Sequence, residues 1–254
     1  MKRFEYIYEN GSHKWGVIAR DPEKPDFLID TNEYVVRSGD NALICDPGGV
    51  EIFHMVFTAL ASMVNPQDVR AIFASHQDPD IVSSLSLWHQ FNPEIRCYAS
   101  WLWQTFLPHF GGSKETFVPI PDEGANIPLG ALDLVAVPAH YLHSSGNLHL
   151  YDPKAAILFS GDVGAAMMPE DETYLYVENF DKHIRYATGF HMRWMGSKEA
   201  VLDWCERAAK LKIDMLCPQH GAIYQGDDVM RFINWFAELE VGVGLKLKNQ
   251  ALAA

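Results

Sequence analysis

The chain has few basic residues for its length and contains no long apolar run. Its 254 residues include 20 Lys and Arg against 33 Asp and Glu, which gives a net charge of −13. This acidic excess argues against nucleic acid or an anionic membrane as the main partner. The longest apolar stretch, at residues 52–64, is interrupted by His54, Thr58 and Ser62 and is too short to span a bilayer. We therefore expect neither a nucleic-acid-binding protein nor a membrane protein.

Cysteine is scarce, and no two cysteines have the spacing of a metal or redox motif. Cys45, Cys97, Cys205 and Cys217 are widely separated, which predicts four reduced thiols. The first residues, MKRFEY, lack the apolar core of a secretory signal. Neither a glycine-rich dinucleotide motif after a strand nor a P-loop occurs in the sequence. These absences predict a cytoplasmic protein without a nucleotide site.

No linker, charge block or internal repeat divides the sequence, so we expect one domain over residues 1–254. Short β-rich segments alternate with helical periodicity in both halves, and helices are predicted near residues 50–64, 197–211 and 229–239. This order of segments predicts an α/β fold, an αββα sandwich of two mixed sheets flanked by helices. The stretch 167–195 has no clean period and is predicted either to cover a site or to be an irregular connection.

The chain is well supplied with histidine, and several histidines and aspartates follow predicted strands. Among its 11 histidines and many acidic residues, six stand out by this position: His76, Asp78, Asp80, His143, Asp162 and His220. Side chains at strand ends in an α/β architecture converge on one cleft. Histidine and carboxylate together are the donors that a chain supplies to bind a metal.

Each of these residues alone has a purely structural explanation, because an Asp after a strand commonly forms a turn or caps a helix. The pattern His76-x-Asp78-x-Asp80 is different, since ligand-type side chains this close together repel one another unless a cation lies between them. Carboxylate oxygens mixed with imidazole favour iron or manganese over a zinc site built on histidine. The residues therefore predict a metal site.

The order and spacing of these residues resemble the ligand series of the metallo-β-lactamase superfamily. HQDPD at residues 76–80 is similar to the H-x-E-x-D motif of the superfamily's flavodiiron branch. DPGG at residues 46–49 resembles an early D-x-G loop, and FSGD at 159–162 and CPQHG at 217–221 resemble later ligand segments of that branch. The similarity extends over nearly the whole chain.

The resemblance implies a metallo-β-lactamase fold and a site for two iron ions, with manganese or zinc as the alternative metals. It assigns His76, Asp78 and His143 to one metal, Asp80 and His220 to the second, and Asp162 to a bridge between them. Ile81 replaces a histidine that is often present near the second metal, which is expected to leave an open position for a small ligand. His140 is expected either to support the catalytic pocket or to be an ordinary turn histidine.

The function that the resemblance implies is binding of dioxygen, or of nitric oxide or peroxide, at the di-iron site. Flavodiiron proteins normally carry a flavodoxin domain after the metal domain, and no such region follows the last predicted helix here. We therefore expect either an oxygen sensor that reports to a signalling protein or an oxidoreductase with an external rubredoxin or flavodoxin donor. Enzymatic activity and oligomeric state stay open.

Two alternatives come from other classes of protein. A zinc hydrolase of the same superfamily would act on an ester, thioester or phosphodiester through a metal-activated hydroxide. The carboxylate-rich ligand set and the two histidines missing from the hydrolase motif count against it. A metal-free binding module is the third hypothesis, and it is weakened because all six ligand positions carry competent donors.

Overall fold

The computed structural model describes residues 3–21, 28–111 and 114–246, and within these ranges the strands form two mixed sheets. The first sheet follows chain order: β1 (Arg3–Asn10), β2 (His13–Ala19), β3 (Glu33–Ser38), β4 (Asn41–Cys45), β5 (Val69–Phe73), β6 (Arg96–Ser100) and β7 (Phe117–Ile120). Neighbouring strands from β1 to β4 are antiparallel, whereas those from β4 to β7 are parallel. The parallel part is where crossover helices are required.

The second sheet is mostly antiparallel and contains one parallel pair. Its strands are β8 (Ala125–Leu129), β9 (Leu132–Pro138), β10 (Leu148–Asp152), β11 (Ile157–Phe159), β12 (Met215–Cys217) and β13 (Tyr224–Gln225). They lie in the order β13-β12-β11-β10-β9-β8, and β11 and β12 are the parallel neighbours. The long crossover between these two strands contains two helices.

Six α-helices occur within the described ranges. They are α1 (Phe53–Ala61), α2 (Pro79–Val82), α3 (Leu85–Phe91), α4 (Phe180–Trp194), α5 (Lys198–Ala208) and α6 (Asp227–Glu238). Short 3-10 turns occur at Pro66–Asp68, Trp101–Trp103, Leu107–Phe110 and Val243–Lys246. Helix α1 is shorter than predicted, and the stretch 167–195, predicted as a cover or an irregular connection, contains the regular 15-residue helix α4.

Apolar side chains alternate along the strands and divide the interior into three layers. In β4, Leu43 faces the opposite sheet, while Ile44 faces the helices of its own side. The middle layer joins residues of both sheets, such as Phe73 and Phe159. Helices α1 and α3 cover the first sheet, and α4 to α6 cover the second. This period-2 alternation produces the predicted αββα sandwich, because each sheet must bury both of its faces.

The four cysteines are free and buried, in agreement with the prediction of reduced thiols. The sequence pattern does not predict strands β1 and β2. It does favour a short strand at residues 27–29, but residue 27 lies outside the described residues, and residues 28 and 29 are not in a strand. In the part of the chain that the structure describes, no helix has the length and apolarity needed to span a membrane.

Candidate metal centre

The candidate site lies where loops from both sheets meet at strand ends. His76 follows β5 in the first sheet, and Asp162 and His220 follow the parallel neighbours β11 and β12 in the second. Because the carboxyl ends of parallel strands lie at the same edge, Asp162 and His220 are brought side by side. His143 comes from the connection between β9 and β10.

Backbone hydrogen bonds fix these loops against one another. Leu148 N donates to the Ser75 carbonyl at 3.0 Å, which joins the loop before His76 to the second sheet. Gln219 N donates to the Gly161 carbonyl at 2.8 Å, which joins the loops of Asp162 and His220. Gly161 has φ +50°, and a Cβ there would lie 3.0 Å from the Ser75 hydroxyl, so glycine permits this close approach.

His76, Asp78 and His143 form the first donor group. The Asp78 Oδ2 atom lies 3.6 Å from His76 Nε2 and 3.5 Å from His143 Nε2. All three residues offer ligand atoms within 4.8 Å of one another, which is the spacing of donors around one metal ion. His76 is almost fully buried, whereas the Asp78 side chain is 30% exposed.

Asp162 connects this group to a second one. Its Oδ2 atom lies 2.9 Å from His143 Nε2 and 3.6 Å from His76 Nε2. Its Oδ1 atom lies 3.3 Å from His220 Nε2, which in turn lies 3.4 Å from Asp80 Oδ2. The two oxygens of this one carboxylate therefore face different donor groups.

Hydrogen bonds on the far side of two imidazoles fix which nitrogen faces the site. The Ser75 hydroxyl donates to Asp46 Oδ2 at 2.5 Å, so it accepts from His76 Nδ1 at 2.9 Å. The His220 Nδ1 atom donates to the Asp30 carbonyl at 2.8 Å. In both rings Nε2 is left to bind a metal, and such outer partners also orient a ligand.

The carboxylates and imidazoles strongly alter one another's protonation. Burial opposes protonation of His76, but Asp162 and Asp78 raise its pKa to about 9. Burial likewise opposes protonation of His220, but the facing carboxylates of Asp162 and Asp80 raise its pKa well above the usual value. Burial favours the neutral form of Asp162, yet the neighbouring histidines hold its pKa well below the usual value. Without a metal, the carboxylates therefore favour protonated imidazoles, whose positive charge lies where a cation would lie.

Asp46 is a fourth carboxylate near the site, and it is fully buried. Burial raises its pKa to about 7, and this is opposed by the charge of His76 and by two hydrogen bonds from Ser75. A cation bound nearby would favour its ionised form.

These residues fit a metal on an observation that does not depend on family resemblance. His76 Nε2 and Asp162 Oδ1 are buried side-chain atoms without a hydrogen-bond partner, and both point toward the neighbouring donors. An unpaired buried polar atom is costly, and a shared cation satisfies several of them together. Three carboxylates and three imidazoles are the mixed donor set that suits iron or manganese.

Aromatic and apolar residues border the site. The Trp194 ring lies 5.5 Å and the Phe190 ring 6.4 Å from the His143 ring. Both belong to α4, so the end of this helix borders the site. This agrees with the hypothesis that the stretch 167–195 covers a site. A cavity of about 410 Å³ is lined by His220, Met167 and Arg20 among others, which gives a small molecule room beside the second donor group.

The side chains of the two other residues that the sequence singled out, His140 and Ile81, form no hydrogen bond to the six donors in the described part of the chain. The His140 Nε2 atom donates to the Asp122 carbonyl at 2.8 Å, and no hydrogen bond or ion pair among the described residues links it to the six donors. Its support of the pocket stays a prediction. Ile81 is fully buried in the apolar cluster between the first sheet and its helices.

Sequence reasoning missed the residues that support the donors. Ser75, Gln77 and Ser144 each adjoin a predicted ligand in the sequence and bond to a donor or to a residue that holds one. Their position next to His76, Asp78 and His143 was the available signal. The bonds of Ser75 to Asp46 and of Ser144 to Gln77 join distant segments and are visible only in the fold.

Fold and site together define a metallo-β-lactamase-fold protein with a carboxylate-rich candidate metal centre. The family model described as ODP family beta lactamase matches residues 29–221. The chain belongs to this family.

Solved structures of the chemotaxis sensor ODP are similar to the chain over nearly their whole length. The apo state from T. denticola is 36% identical with a TM-score of 0.85, covering 94% of this chain and 96% of that one. A structure described as a peroxy diiron species of the sensor is 35% identical with a TM-score of 0.84, covering 95% and 97%. A flavo di-iron protein mutant from Thermotoga maritima is 23% identical with a TM-score of 0.80, covers 93% and 61%, and supports the fold alone.

The chain spans only part of the curated relatives that it matches. It is 22% identical over 224 residues to an uncharacterized protein of Methanocaldococcus jannaschii and spans 55% of that protein. It is 28% identical over 133 residues to a diflavin flavoprotein of Synechocystis and spans 23% of it.

Proposed function

We propose that the protein binds dioxygen at a non-haem di-iron site and acts as an oxygen sensor. The observation that carries the proposal is the position of Asp162, whose two carboxylate oxygens face two separate groups of His and Asp donors. Similarity at 35–36% identity to a chemotaxis sensor, solved once as a peroxy diiron species, supports iron and dioxygen. We treat residues 1–254 as one domain in this proposal.

In the proposed site, the first iron would be held by His76, Asp78 and His143, and the second by Asp80 and His220. Asp162 would contact both. When bound there, two ferrous ions would supply the electrons that dioxygen takes up. Three ionised carboxylates leave little net charge on two divalent ions, which favours uptake of a small neutral ligand into a buried site.

The residues of the chain orient the donors and limit access of water. Ser75 and the Asp30 carbonyl hold the far nitrogens of two ligand histidines, so that Nε2 of each ring faces the metals. The rings of Phe190 and Trp194 cover the His143 side. Donors that are held in place before a ligand arrives favour its retention, which suits a sensor.

Anaerobic loading with ferrous iron followed by exposure to air tests the proposal. We expect two irons per chain and a new visible absorption band that persists without an added reductant. Rapid oxygen consumption with reduced rubredoxin or flavodoxin would instead identify a reductase.

Loading the protein with zinc in place of iron distinguishes the zinc hydrolase hypothesis from the oxygen sensor. Stoichiometric zinc without an oxygen response, together with ester or thioester hydrolysis that Asp80→Ala abolishes, would establish the hydrolase. Asp133→Ala serves as the matched control, because this carboxylate is exposed on β9.

A further inference from the structure

Two polar residues that are not themselves metal donors connect the loops of the first donor group. The Ser144 hydroxyl donates to Gln77 Oε1 at 2.7 Å, and Gln77 Nε2 donates to Asp78 Oδ1 at 3.2 Å. Ser144 is buried and Gln77 is half-buried. The chain of bonds therefore runs from the β9–β10 connection of the second sheet to the loop after β5 of the first.

The chemistry of these groups fixes the direction of each hydrogen bond. An ionised carboxylate only accepts, so the amide nitrogen of Gln77 must face Asp78. The amide oxygen then faces Ser144, whose hydroxyl must donate.

Because of the bond from Gln77, the two oxygens of Asp78 have different partners. Oδ1 is held by the amide, whereas Oδ2 lies 3.6 Å from His76 Nε2 and 3.5 Å from His143 Nε2. Only Oδ2 is directed at the other donors of the group. We propose that Gln77, oriented by Ser144, is a positioning residue that presents Asp78 to the first metal through a single oxygen.

This proposal rests on the proposed function, because it concerns the same metal site. Asp78 needs such support, since its side chain is 30% exposed and no other side chain is bonded to its Oδ1 among the described residues. Binding through one oxygen leaves the first metal one coordination position more than binding through both. The amide would thus help to set how many positions remain for an external ligand.

Titration of the metal-free protein with ferrous iron under anaerobic conditions tests the proposal without any activity assay. Outer partners of ligands typically contribute about 10–100-fold to metal affinity. We expect Gln77→Leu to weaken one of two sites by about that factor and to leave the other unchanged. Gln90→Leu is the matched control, because Gln90 is exposed on α3, and it should bind as wild type does.

Substitutions of Ser144 test whether the Gln77 amide depends on the Ser144 hydroxyl for its orientation. We expect Ser144→Ala to weaken the same site, and Ser144→Thr to restore binding because it keeps the hydroxyl. The double variant Gln77→Leu/Ser144→Ala should be no weaker than the weaker single variant, since both break one chain of bonds. Fully additive losses, or a Ser144→Thr variant that binds as Ser144→Ala does, would overturn the proposal.

The visible spectrum of bound cobalt(II) reports coordination, which a loss of general stability would not change. We expect the band to change in Gln77→Leu, where Asp78 is free to use both oxygens, and to be unaltered in Gln90→Leu. If wild type binds two irons and Gln77→Leu matches it in affinity and cobalt spectrum, the positioning role is wrong while the proposed function stands. If wild type does not bind two metals, the proposed function fails first.

Discussion

At the scale of single residues, Asp162 links the two donor groups. Its Oδ2 atom faces His143 and His76, and its Oδ1 atom faces His220. Asp80, in contrast, contacts only His220 among these residues. The two aspartates should therefore differ in how many metals depend on them.

We predict that Asp162→Ala lowers the metal content from two ions per chain to nearly none, whereas Asp80→Ala lowers it to about one. The reason is that Asp162 faces both donor groups and Asp80 only one. Elemental analysis of protein purified under metal-replete conditions measures this, with Asp133→Ala as the control. Two ions retained in Asp162→Ala would contradict the bridging role.

A second prediction concerns the hydroxyl behind His76. Ser75 accepts from His76 Nδ1 and donates to Asp46, and its backbone N–H also bonds to that carboxylate. Ser75→Ala removes the link and should weaken metal binding about 10-fold, because the ring is no longer held in one orientation. Isothermal titration of the metal-free variant measures the loss. An unchanged affinity would show that neighbouring packing alone orients the ring.

The six candidate donors could be predicted from sequence because each follows an apolar strand, and strand ends in this architecture converge on one cleft. The residues that hydrogen-bond to these donors could not be predicted. Gln77 and Ser144 are 67 residues apart in the numbering and meet only because loops from different sheets adjoin. Asp78 was predicted as a ligand, but which of its oxygens faces the other donors depends on that meeting.

At the scale of elements, α4 shows why periodicity failed in one stretch. Its buried positions are Phe180, His183, Ala187, Phe190 and His191, which follow helical spacing. Two of the five are histidines, and a polar residue on the buried face hides the apolar stripe from a hydrophobicity pattern. Burial lowers the pKa of each of these histidines to about 4, so they pack as neutral rings.

His191 gives α4 a testable sensitivity to acid. Its Nδ1 donates to the Ala187 carbonyl at 2.8 Å, and its Nε2 accepts from Gly164 N at 3.0 Å. Protonation would place two donors face to face. Because the folded pKa is about 4 against 6.5 when unfolded, the unfolded chain binds the proton more readily. The stabilisation is complete above pH 6.5 and is lost as the pH falls toward 4.

We predict that His191→Gln reduces the loss of unfolding free energy between pH 8 and pH 5 by about 2 kcal/mol, since Gln does not titrate. Urea denaturation of the metal-free proteins at both pH values measures this. His54→Gln, at an exposed position of α1, is the control and should leave the pH dependence as in wild type. An equal loss in His191→Gln and wild type would show that His191 does not stay neutral in the fold.

At the scale of the whole molecule, the proposed metals would join the two sheets. His76, Asp78 and Asp80 follow β5 of the first sheet, whereas His143, Asp162 and His220 belong to loops of the second. The apolar layer between the sheets already holds them together. The order of β-rich and helical segments along the chain predicted this αββα architecture, and the family resemblance implied it as well. Donors from both sides make metal binding a property of the assembled sandwich and not of either sheet.

We therefore predict that metal removal lowers the thermal stability of the whole molecule. A ligand that binds only the folded state at 100 times its dissociation constant stabilises by about 2.7 kcal/mol per site, or roughly 5–10 °C in a chain of this size. Calorimetry before and after chelation measures the shift, and readdition of ferrous iron should restore it. Asp162→Ala should melt at one temperature with or without chelator, because it has no bound metal to lose. A wild-type protein that melts unchanged after losing two bound ions would show that the unfolded chain binds the metals equally well, and that the site does not depend on the joined sheets.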